Sequence, residues 1–98
     1  MSTDKHLDGK VALITGASRG IGAAIARGLA ANGIHVILIA RTIGALEEID
    51  DEITISGGSS TLVPLDLLDF PAIERLGATI FERWGKLDIL ISNAAMLG

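Results

Sequence analysis

Thr15-Gly16-Ala17-Ser18-Arg19-Gly20-Ile21-Gly22 lies where a continuous apolar run ends and a helical pattern begins. Ahead of it, Val11-Ala12-Leu13-Ile14 is the short, unbroken apolar run of a strand buried on both faces. Behind it, Ile21, Ile25 and Leu29 recur at i, i+4 and i+8, which predicts the buried stripe of an amphipathic helix. A glycine-rich turn between such elements has a physical use. Without a Cβ, glycine takes backbone angles that other residues avoid and lets a ligand approach the main chain. The unpaired N–H groups and the dipole at the helix start then favour a phosphate. The stretch therefore implies a nucleotide-phosphate site.

The spacing narrows the kind of site. A G-x-G-x-x-G fingerprint would need a third glycine where Ile25 stands. A phosphate loop of the Gly-Lys-Ser/Thr type is excluded, because no lysine follows Gly20 or Gly22. The pattern present is T-G-x-x-x-G-x-G, with Gly16, Gly20 and Gly22. It resembles the classical short-chain dehydrogenase/reductase family, not the T-G-x-x-G-x-x-G of the extended branch. Taken alone, the glycines could equally serve a tight strand-to-helix turn with no ligand. Two further segments extend the resemblance over essentially the whole chain. Asp66 in Leu65-Asp66-Leu67 falls where the family carries its adenine-contacting aspartate, and Ser92-Asn93-Ala94-Ala95 falls at its N-N-A-G segment. In the latter, Ser92 replaces the first asparagine and Ala95 the glycine. The resemblance implies a dinucleotide bound by Gly16, Ser18, Arg19, Gly20, Ile21, Gly22, Arg41, Asp66, Leu67, Asn93, Ala94 and Ala95. It also implies that Thr15 ties the first strand to the segment around Asn93.

Composition limits the alternatives. The chain has 98 residues, the size of one small domain spanning 1–98. Apolar residues make up 49% of it and aromatics 3%, so the core must be Ile, Leu, Val and Ala, a mixture suited to parallel strands between helices. The net charge is −4 and the eight basic residues form no cluster, which argues against a nucleic-acid surface. With no cysteine there is neither a disulfide framework nor a thiolate metal site. The longest apolar run, Val36 to Ala40, is far short of the roughly 20 residues a membrane helix needs. The polar amino end, Met1 to His6, reads as no signal or transit peptide, so the expected setting is cytoplasmic.

Strand and helix patterns alternate throughout. Strands are predicted at about 10–15, 35–40, 60–65 and 88–92, and helices at about 20–32, 43–55 and 70–84. Asn32-Gly33 stops the first helix; Thr42 and Asp69 stand where N-caps of the second and third would fall. Strands joined by helices lie parallel with right-handed crossovers. The expectation is a three-layer, Rossmann-type α/β fold, specifically the first half of a doubly wound parallel sheet with strand order 3-2-1-4. Ligands bind such sheets at the switch point, between strands 1 and 4, where the three motifs converge.

Arg41 decides the cofactor. An acid about 20 residues past the glycines would bind the ribose hydroxyls of NAD, whereas arginine suits the 2′-phosphate of NADP. Here Ala40 holds the acid's place and Arg41 follows, with Arg19 available from the glycine loop. A planar guanidinium matches phosphate oxygens in pairs, so NADP is expected over NAD, although both arginines would also serve as solvated surface charges. Glu47, Glu48, Asp50, Asp51 and Glu52 are better read as a wet helix face than a cation site, because Leu46, Ile49 and Ile53 form the buried stripe. No metal site is expected. His6 and His35 receive no role, and Trp84 is expected to pack on the sheet.

In the family the resemblance points to, a tyrosine acts as general acid–base, aided by a lysine four residues on and by a serine. This chain has no tyrosine, so no catalytic residue is nominated. It reads as the cofactor-binding portion of an oxidoreductase, a truncated product or a fragment; the alternative is a non-catalytic nucleotide-binding or assembly module. Its fourth strand, left as an apolar sheet edge, is expected to drive homo-oligomerisation.

Overall fold

The structure, a computed structural model, describes residues 9–16 and 20–92, the side chain of Ala45 excepted. Its elements run β1 (Val11–Thr15), α1 (Gly20–Ala31), β2 (His35–Ala40), α2 (Ile43–Ile55), β3 (Ser60–Pro64), α3 (Phe70–Trp84) and β4 (Ile89–Ser92). Each falls within a residue or two of the sequence expectation. The strands form one parallel sheet in the order β3-β2-β1-β4, so the chain reverses direction of travel between β1 and β4. Val11 pairs with His35, Thr15 with both Ile39 and Ser92, and Ala40 with Pro64.

The central strands β1 and β2 have helices over both faces, which is why they read as unbroken apolar runs. On one face Ala12, Ile14, Val36 and Leu38 pack under α1 and α2, where Ala26, Leu46, Ile49 and Ile53 close the core. On the other, Val11 and Ile37 meet Ile80 of α3, with Leu13, Leu76 and Trp84 packed around them. Trp84 thus lies against the sheet, as expected. The acids of α2 sit opposite its buried stripe; Glu52 is tied to Arg27 and Asp50 accepts the Ser60 hydroxyl.

Two local expectations need correction. The buried stripe of α1 is Gly22, Ala23, Ala26 and Ala30, not the isoleucine–leucine line: Ile21 is 71% exposed, and Ile25 and Leu29 are only partly buried. Small side chains let the helix axis lie close to the strands, and the branched residues flank that contact. Thr42 does occupy the N-cap position of α2, with extended backbone, yet its hydroxyl makes no cap hydrogen bond. Asp69 behaves as expected, its Oδ1 accepting the Ala72 N–H at 3.2 Å.

Helix ends are closed by backbone. After α1, the Ile34 N–H bonds the Leu29 carbonyl and the Gly33 N–H bonds the Ala30 carbonyl, with Gly33 at φ 84°. After α2, the same pair of bonds joins Gly58 to Ile53 and Gly57 to Thr54. Both are the crossed pair of a Schellman motif.

Candidate cofactor site

The carboxyl ends of all four strands lie along one edge of the sheet, and most of the site residues expected from sequence stand there. β1 delivers Thr15, 8% exposed and held between Ile39 and Ser92. Gly16 follows at φ 64° and Gly20, the first residue of α1, at φ 63°. An L side chain is strained in this left-handed region, so the glycines set the path of the turn. Among the described residues nothing lies within 4 Å of where a Gly20 Cβ would sit, which leaves room for a ligand beside the main chain at the start of the 12-residue helix. Gly22 is buried against the sheet, while Ile21 projects outward beside the turn.

Arg41 leaves the end of β2 with an exposed side chain and takes part in neither of the ion pairs Arg27–Glu52 and Lys86–Asp88. Thr42, next to it, opens α2 with its hydroxyl uncommitted to capping. A cation, a hydroxyl and a helix start thus adjoin one another, a combination suited to phosphate oxygens. The sequence reading missed Thr42 in this capacity; its place directly after Arg41 at a helix start was the available signal.

Asp66 follows β3 at the same edge and is exposed. Its Oδ1 accepts the Leu68 N–H at 2.9 Å and its carbonyl accepts the Asp69 N–H at 2.9 Å, so the chain turns sharply over 66–69. This Asx-type turn fixes the carboxylate at the head of α3. Leu67 beside it is 37% exposed. Ser18, Arg19, Asn93, Ala94 and Ala95 lie outside the described residues. Among the described residues no group of His, Asp or Glu is arranged to hold a metal ion, and no helix is long and apolar enough to cross a membrane.

A parallel sheet that reverses its order beside a glycine-bracketed β1–α1 turn is the architecture of dinucleotide-binding α/β proteins. The chain belongs to the short chain dehydrogenase family, whose model matches residues 10–98. Among its relatives, a fatty acyl-CoA reductase of Acinetobacter baylyi is 48% identical over 90 residues, covering 92% of this chain and 30% of that protein. A versicolorin reductase of Emericella nidulans is 42% identical over 97 residues, covering 98% of this chain and 37% of the relative. A metagenomic short-chain oxidoreductase crystallised in complex with NADP superimposes with a TM-score of 0.87 at 41% identity, over 93% of this chain and 41% of that one. This chain therefore spans well under half the length of these relatives.

Proposed function

We propose that this chain is the cofactor-binding portion of an oxidoreductase that moves a hydride between NADPH and a carbonyl or alcohol, and that it prefers NADP to NAD. The observation that carries the reading is the pair of left-handed glycines, Gly16 and Gly20, opening α1 at the edge where Arg41 and Asp66 also stand. The pyrophosphate would lie over the Gly16–Gly22 turn against the N–H groups of α1, with Ser18 and Arg19 in the same loop. Arg41, with Thr42 beside it, would take the 2′-phosphate. Asp66, its Oδ1 held by Leu68, would offer Oδ2 to the adenine amino group beside Leu67. Asn93, Ala94 and Ala95 would border the nicotinamide side. The complex of the metagenomic relative with NADP supports this assignment. The bound dinucleotide supplies the hydride at its nicotinamide ring.

The 98 residues contain no tyrosine, so the proton that must accompany the hydride has no donor of the family's kind within them. Calorimetry with NADP, NAD and 2′,5′-ADP tests the binding. Weak but measurable affinity for NADP and 2′,5′-ADP, and less for NAD, is the expected result; equal affinity for NAD and NADP rejects the preference. NADPH oxidation with a panel of carbonyls should stay at the buffer background, and turnover that survives repurification overturns that part. We further propose that the chain forms homodimers through β4 and its adjoining face.

A further inference from the structure

His35 opens β2 at the sheet end remote from the glycine turn, on the face covered by α3, and its half-buried ring has a partner at each nitrogen and on one face. Its Nδ1 lies 2.8 Å from Ser59 Oγ and its Nε2 2.8 Å from Thr61 Oγ1. Its plane rests on Trp84, the last residue of α3, with ring centroids 5.2 Å apart and tilted by 33°. The Arg83 guanidinium lies 4.6 Å from the centroid of the same indole. Around the imidazole, Thr61 of β3 and Ser59 just before it present hydroxyls and α3 presents Arg83. On the β1 side Lys10 gives its carbonyl to the His35 N–H at 2.9 Å, and Asp88 is taken up by the Val11 N–H and Lys86.

Neutral imidazole has one N–H and one lone pair, so one hydroxyl donates to the ring and the other accepts from it. Imidazolium donates from both nitrogens. The donating hydroxyl must then turn round, and a second cation stands beside Arg83 in a half-buried position. α3 has few other anchors on the sheet, with Ile80 its buried residue and Leu76 partly covered. We propose that His35, with the hydroxyls of Ser59 and Thr61, is a proton-operated latch: neutral, it holds Trp84 and the carboxyl end of α3 on the sheet; charged, it releases them. Burial first, and then Arg83, hold the imidazole below its ordinary value of 6.5, which agrees in direction. The latched state is therefore complete above 6.5 and is lost as pH falls through the lower folded value. Because α3 leads through Gly85 into β4, release also loosens the strand beside β1.

Trp84 is the sole tryptophan and there is no tyrosine, so intrinsic fluorescence reports on this contact directly. Lowering the pH from about 8 to about 5 should move Trp84 emission to longer wavelength with a midpoint below that of free histidine. His35→Gln, which keeps hydrogen-bonding groups without a titrating proton, should abolish the transition. His6→Gln should leave it intact, and Arg83→Gln should raise the midpoint. An unchanged transition in His35→Gln, or none in the parent chain, overturns the latch. The His35 ring-proton NMR titration of the unmodified chain keeps the test open should His35→Gln not fold, and a midpoint at or above 6.5 rejects the proposal.

Discussion

Asp88 joins two strands that lie far apart in sequence. Its Oδ2 accepts the Val11 N–H at 2.8 Å while its own N–H donates to the Val11 carbonyl at 2.9 Å, fixing the start of β4 against the start of β1. The Val11 amide, reinforced by Lys86, holds the carboxyl below the ordinary 3.8. A depressed carboxylate contributes stability above its unfolded value, and the contribution is lost as pH falls through the folded one. Asp88→Asn should therefore unfold at lower urea than the parent near neutral pH, with the gap closing below 3.8. A gap that persists unchanged in acid counts against this assignment. Arg41 stands at the opposite end of the sheet, after β2. If its guanidinium takes the 2′-phosphate, Arg41→Ala should lose about 1.5–3 kcal/mol, roughly ten- to hundredfold, in NADP affinity while leaving NAD unchanged. Arg41→Asp should reverse the preference by placing an acid beside the ribose hydroxyls. Equal losses for NADP and NAD in titration calorimetry would remove Arg41 from the phosphate site.

At the level of elements, α1 separates hydrophobicity from burial. Ala26 is 0% exposed under the helix whereas Ile21 is 71% exposed at its start. Ala26→Leu should cost about 1–3 kcal/mol by forcing the helix off the sheet. Ile21→Ala should stay within about 0.5 kcal/mol. Gly58 makes the same point between α1 and α2: a Cβ there would meet Ile53 Cγ2 at 3.0 Å and Ala30 Cβ at 3.2 Å, so Gly58→Val should destabilise by a similar amount. Denaturant melts that rank Ile21→Ala as the most damaging of the three would refute the packing account. The strands and helices were legible because their periodicities alternate cleanly and glycine or asparagine punctuates them. The face that α1 buries was not, because apolar spacing favours the large residues while close helix–strand approach selects the small ones. The placement of Arg41 just past β2 was legible from the apolar run that ends at Ala40. The Asx turn at Asp66 was overlooked, although an aspartate two residues before a free amide is its signature. The surroundings of His35 left no local trace, since Ser59 and Thr61 lie 24 and 26 residues away in sequence.

Across the whole molecule, the two sheet edges are unlike. The β3 edge carries Ser60 and Thr61 and ends in Pro64, which has no N–H to offer a neighbouring strand. The β4 edge is Ile89-Leu90-Ile91-Ser92, without lysine or proline, and among the described residues no strand pairs with its outer side. The faces differ as well. Among the described residues, helices α1 and α2 cover one, whereas α3 alone lies on the other and leaves Leu90 62%, Phe81 70% and Leu87 40% exposed. Leu13, Leu76, Gly77, Ile80, Phe81 and Leu87 line an apolar groove of about 280 Å³ alongside α3, next to the β1–β4 pair. An unpaired strand edge joined to an apolar groove favours association. A two-fold axis through β4 would satisfy both at once, because it pairs the strands and sets each exposed face against its mate. Opposing this is the net charge of −4 on each copy, a repulsion that salt screens. The chain is therefore expected to dimerise at tens of micromolar, more tightly as salt is raised. Leu90→Lys, which places a charge on the exposed face beside the edge, should return it to monomer without unfolding it. Light scattering that gives a monomer mass for the parent chain, in low and high salt alike, would exclude the dimer.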